Sequence, residues 1–166
     1  MKTFGQARIA GAHEHGVDLS IAGSGDFSVQ VLATSMVRVR YKPAGGYREP
    51  RTWAIAPSAG RDVEWSGRQR DAMDGFTPPT AGVARTETQV TLETKALSVS
   101  IQADPLVLRW RDDQGRPLFE DRATSAYFES RRTGGVRHYL QRDRADRYYG
   151  LGDKTGPLDL HGRRLR

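Results

Sequence analysis

Met36-Val37-Arg38-Val39-Arg40-Tyr41 decides the fold class, because its apolar and charged residues alternate one by one. Successive side chains of an extended strand point to opposite faces, so Val37, Val39 and Tyr41 share one face and Arg38 and Arg40 the other. That predicts a strand with its valines toward a core and its arginines toward water. The same period of two, interrupted by Gly, Pro and Asp clusters, predicts strands at 27–33, 36–42, 51–56, 89–93, 97–102, 106–111, 126–130, 136–142 and 147–150. Helical periodicity is nearly absent, and the expected fold is all-β, an antiparallel β-sandwich. Asp112-Asp113-Gln114-Gly115 lies between Leu106-Val107-Leu108-Arg109-Trp110 and Pro117-Leu118-Phe119 and predicts a hairpin, since Asp and Gly supply turn chemistry. Residues 1–26 and 66–80 are expected to be irregular, with 27–166 forming the sandwich domain.

A chain of 166 residues is long enough for one core. It has no cysteine, which excludes a disulfide framework, a thiolate nucleophile and cysteine-ligated zinc, and suits a reducing compartment. Arg8, Gly11 and His13 interrupt the apolar stretch that an export signal would need, so a cytoplasmic location is expected. No apolar run approaches the roughly 18 residues of a membrane helix, and no membrane partner is expected. The net charge of +6 sits wholly in residues 131–166, leaving residues 1–130 neutral. Arg131, Arg132, Arg137, Arg142, Arg144 and Arg147 resemble a phosphate-neutralising run, but Asp143 and Asp146 interrupt it. Ion pairing at a protein interface accounts for these residues better than nucleic acid does.

Four further patterns resemble chemical sites. Gly150-Leu151-Gly152-Asp153-Lys154-Thr155-Gly156 has three residues between its last two glycines, where a dinucleotide fingerprint has two. Its Lys-Thr precedes the glycine, the reverse of a P-loop, so it reads as a glycine-rich turn after a strand. His13-Glu14-His15 offers two imidazoles, which is not a metal site, and His138 and His161 are isolated in sequence. Asp112-Asp113 and Glu120-Asp121 are adjacent carboxylates, yet neighbours on a strand face opposite ways, so neither pair is a hydrolytic dyad. Trp53, Trp65 and Trp110 offer faces for sugar stacking, but packing in the core is the expected role. The sequence points to no catalytic residue, metal or cofactor.

Arg147-Tyr148-Tyr149-Gly150-Leu151-Gly152-Asp153-Lys154-Thr155-Gly156-Pro157-Leu158-Asp159, continued by Gly162-Arg163-Arg164, resembles the tyrosine-glycine-leucine-glycine-glutamate-lysine motif of family 31 glycoside hydrolases. Met36 to Pro43, Trp53-Ala54-Ile55-Ala56-Pro57, Trp65-Ser66-Gly67-Arg68, Leu92 to Ile101 and Asp113 to Leu118 are similar to the segments that precede it there, so the resemblance runs from about Phe27 onward. One departure is Asp153, where the family usually has glutamate. The resemblance implies the N-terminal, galactose-mutarotase-like supersandwich of an α-glucosidase-like enzyme that retains configuration and acts on α-linked oligosaccharides. It also implies that both catalytic aspartates lie in a (β/α)8 barrel beyond Arg166. The barrel of the same polypeptide is then the partner, with Tyr149, Gly150, Gly152, Asp153, Lys154, Arg163 and Arg164 expected at its interface or as pocket wall. An exposed docking face is expected to promote self-association of the isolated chain. The competing expectation is a free-standing carbohydrate-binding or protein-interaction module.

Overall fold

The computed structural model describes residues 1–54, 65–130, 135–150 and 158–162. Among them lie β1 (Lys2–Thr3), β2 (Ala7–His13), β3 (Gly16–Ile21), β4 (Gly25–Ala33), β5 (Met36–Pro43), β6 (Arg51–Thr52) and β7 (Arg68–Gln69). There follow β8 (Gly82–Arg85), β9 (Gln89–Glu93), β10 (Leu97–Gln102), β11 (Val107–Asp112), β12 (Pro117–Glu120), β13 (Tyr127–Glu129) and β14 (Val136–His138). All pairings are antiparallel. A four-stranded sheet runs β2-β3-β4-β5 and a five-stranded sheet β12-β11-β10-β9-β8, with β1-β13-β14 and β6-β7 as smaller additions.

Alternation builds the core between the two larger sheets. Val17, Leu19 and Ile21 of β3 and Phe27, Val29 and Val31 of β4 are buried in one cluster with Val90, Leu92, Val99, Ile101, Leu108 and Trp110 of the facing sheet. Register keeps them on one face: Val99 opposes both Leu92 and Trp110, and Ile101 opposes Val90 and Leu108. On the outer face, Gln89 Nε2 donates to Ser100 Oγ at 2.7 Å. The β11–β12 hairpin forms as expected. Its tip is fixed by Asp112, whose carboxylate accepts from the backbone N–H of Gln114 and Arg116, both at 2.9 Å, with Gly115 in the left-handed region at φ 76°.

Several expectations are corrected. Residues 1–26, expected to be irregular, supply β1, β2, β3 and the start of β4. The Gly and His density masks the alternation of Val17, Leu19 and Ile21 with Asp18 and Ser20, which buries the apolar set. Gly16 is required there for space, because a Cβ would meet the Val29 carbonyl of the neighbouring strand. No strand forms at 147–150, where Gly150 leaves the extended region at φ 101°. The strand expected at 51–56 is β6 alone, and residues 55–56 lie outside the described residues.

Arg38 is buried, not wet, because the segment around 68–76 covers that face of β5. Its guanidinium donates to Gln30 Oε1 at 2.7 Å, to the Ala72 carbonyl at 3.0 Å and to the Arg70 carbonyl at 3.2 Å. Burial first, then Arg40 and Arg68, draws its pKa below the ordinary guanidinium value. Val39, on the face expected to be dry, is 39% exposed.

Candidate functional site

Two surfaces carry the chemistry within reach. The first is the contact between residues 147–150 and residues 158–161, which flank the expected interface residues. Asp159 closes it: its Oδ1 accepts from the Tyr148 N–H at 3.2 Å and the His161 N–H at 2.9 Å, and its Oδ2 meets Arg147 Nε at 3.2 Å. The Leu160 N–H also donates to the Tyr148 carbonyl at 2.7 Å. The His161 N–H foremost, then the Tyr148 N–H and Arg147, hold the Asp159 carboxyl below the usual carboxylate range. Tyr149 and Gly150 are exposed beside this contact, Tyr149 at 62%, as is Leu158 at 81%. Gly152, Asp153, Lys154, Arg163 and Arg164 lie outside the described residues.

The second surface is a groove of about 670 Å³ between β5 and β12, where the two large sheets part. Met36, Val37, Val39, Leu97, Leu118 and Phe119 line it, and Phe119 stacks on Trp110 with ring centres 5.1 Å apart. At its floor Asp121, whose side chain is fully buried, accepts from the Leu108 N–H at 2.9 Å and pairs with His138 Nε2 at 2.6 Å. The His138 ring lies flat on Tyr127, 4.6 Å away and 8° from parallel. Burial, with the Asp121 charge beside it, pushes the Tyr127 hydroxyl far above its ordinary value, so it stays neutral. His138, isolated in sequence, is thus joined to Asp121 across seventeen residues. A signal for Asp121 existed: two residues after Phe119 on a strand, it falls on the same inward face.

The remaining patterns resolve into structural contacts. Glu120 is exposed beside Arg109 at 3.7 Å while Asp121 is buried, so the two carboxylates do diverge. His13 faces Asp18 at 3.7 Å, and His15 faces Glu14 at 3.4 Å. Trp110 is a core residue, but Trp53 and Trp65 correct the packing expectation, being 62% and 96% exposed. They flank residues 55–64 and meet through the Trp53 Nε1–H, which donates to the Trp65 carbonyl at 2.9 Å.

Residues 26–166 match the family described as the glycosyl hydrolase 31 N-terminal galactose mutarotase-like domain. The chain belongs to that family. It is 37% identical over 82 residues, 49% of its length, to alpha-glucosidase 2 of Bacillus thermoamyloliquefaciens, of which the match covers 10%. The family 31 dextranase of Flavobacterium johnsoniae, solved with glucose, superposes with a TM-score of 0.74 at 17% identity, over 98% of this chain and 18% of that one. The family 31 α-xylosidase of Xanthomonas citri superposes with a TM-score of 0.63 at 21% identity, over 92% and 16%. Both superpositions establish the sandwich fold. The family 31 domain described here therefore spans under a fifth of the length of these relatives.

Proposed function

We propose that this domain is the scaffold and barrel-docking part of a retaining α-glycosidase of α-glucosidase type, acting on α-linked oligosaccharides, and that it is not catalytic alone. The observation that carries the reading is the family match over residues 26–166 in a chain covering only 10% of an α-glucosidase relative. A retaining mechanism needs two carboxyl groups about 5 Å apart across the scissile bond. Three of the described carboxylates serve the fold: Asp112 caps a hairpin, Asp121 holds His138 and Asp159 accepts from Tyr148. The active pair is assigned to a (β/α)8 barrel of the same polypeptide. Tyr149, Gly150, Gly152, Asp153, Lys154, Arg163 and Arg164 are proposed to face that barrel, and the exposure of Tyr149 and Leu158 supports a docking role. The cysteine-free composition supports a cytoplasmic enzyme.

The test is turnover of an aryl α-glucoside by the purified chain and by the longer polypeptide of the same gene. The chain alone is expected to be inactive, and the longer protein to release the α-anomer first. Turnover by the chain alone, or initial release of the β-anomer, overturns the proposal. Trp53 and Trp65 favour a second reading, a sugar- or protein-binding module. Titration with maltotriose separates the two: fluorescence shifts lost in Trp65→Ala support the module, and an unchanged spectrum supports the scaffold.

A further inference from the structure

We propose that the groove between β5 and β12 seats an extended segment, alternating apolar and polar, which the longer polypeptide supplies from beyond residue 166. The inference rests on the reading of this chain as one domain of a longer enzyme. The groove as it stands exposes apolar side chains to water. Met36, Val39, Leu118, Phe119 and Val136 are each between 41% and 54% exposed, save Val39 at 39%, and all five line one opening. At about 30 Å³ per molecule, 670 Å³ holds roughly twenty waters against mostly apolar walls. Surface of this kind marks an interaction site.

Backbone geometry narrows the occupant. Among the described residues β5 is the outer strand of its sheet and β12 the outer strand of the facing one, so two strand edges flank the same opening. An added strand satisfies its own N–H and C=O groups on such an edge and sends every second side chain into the groove. A sugar fits poorly. Asp121 is already bonded through both oxygens, and the Tyr41 hydroxyl donates to the Ser24 carbonyl at 3.0 Å. Hydroxyls of a pyranose would face Met36, Val37, Val39 and Leu97 without partners, which is costly. A second copy is disfavoured by the net charge of +6 that each chain carries. The relatives supply ample chain, because this domain covers only 10% to 18% of their lengths.

Amide hydrogen exchange of the 166-residue chain and of the longer polypeptide tests the proposal. Residues 36–43 and 117–120 are expected to exchange at least about 100-fold more slowly in the longer protein. A paired substitution guards against a global effect. Val39→Asp is expected to lower the melting temperature of the longer protein by several degrees and that of the isolated chain by much less. Val83→Asp, at a valine of similar exposure on β8 outside the groove, is expected to leave both nearly unchanged. Equal exchange in the two proteins overturns the proposal, as does an equal Val39→Asp shift in both. Protection of the isolated chain that grows with its concentration assigns the groove to a second copy, and protection gained only with added maltotriose assigns it to sugar; either overturns the proposal. An active longer glycosidase with unprotected edges sinks this inference alone, whereas an inactive one sinks the reading beneath it.

Discussion

Replacing Asp121 with alanine tests the floor of the groove. The carboxylate is fully buried, and it accepts from the Leu108 N–H at 2.9 Å and from His138 at 2.6 Å. Alanine leaves a buried N–H without an acceptor, a loss of about 1–3 kcal/mol, and breaks a charge-assisted bond contributing about 1.5–3 kcal/mol. Relief from burying a charge offsets part of this, and about 3 kcal/mol of net destabilisation is expected. With a urea slope of about 2 kcal/mol/M, that moves the unfolding midpoint down by about 1.5 M. Asp121→Asn keeps an acceptor for Leu108 but gives up the charge facing His138, so it is expected to cost about half as much. The assay is urea denaturation followed by far-UV circular dichroism, with the slope unchanged between variants. A midpoint shift under about 0.25 M for Asp121→Ala, which is about 0.5 kcal/mol, would refute the role of Asp121 as the buried partner of Leu108 and His138.

Three further outcomes follow from the same contacts. Arg38→Ala is expected to cost about 2 kcal/mol and to release the segment around 68–76, seen as new tryptic cleavage after Arg68 or Arg70; an unchanged digest would contradict its pinning role. Leu92→Ala removes a core side chain that is 1% exposed and is expected to cost about 2–5 kcal/mol by thermal melting. Asp112 and Asp159 are both held below the usual carboxylate range, Asp112 because its bonds to Arg116 and Gln114 outweigh its desolvation. A depressed folded pKa contributes stability that is present above the unfolded value of about 3.9 and is lost as pH falls through the folded one. Carboxyl NMR titrations are therefore expected to place both midpoints below about 3.9; a midpoint at or above it for Asp159 would remove its role as the clasp of the turn.

The all-β architecture was legible because strands such as β9 and β10 bury every second residue, and period two reads directly from sequence; β3 alternates too, but the neighbouring Gly and His residues hid it. The hairpin at Asp112 was legible because its turn chemistry is local. Arg38 was not, since what covers it arrives from thirty residues away, and alternation cannot say whether the polar face of a strand meets water or another segment. Tyr127, Asp121 and His138 come together only when β13, β14 and the end of β12 are placed, so strand spacing can put Asp121 on an inward face but cannot announce its partners. Trp53 and Trp65 were misread for a related reason: aromatic content favours burial on average, but a two-residue strand offers no interior in which to place them.

The central proposal, that this family 31 N-terminal domain is the non-catalytic part of a longer glycosidase, is tested most directly by sequencing the gene beyond codon 166. The account predicts an open frame that continues into alternating strands and helices bearing two well-separated aspartates. A stop codon directly after Arg166 in the native gene would contradict it, and would leave the exposed Trp53 and Trp65 as the feature to explain.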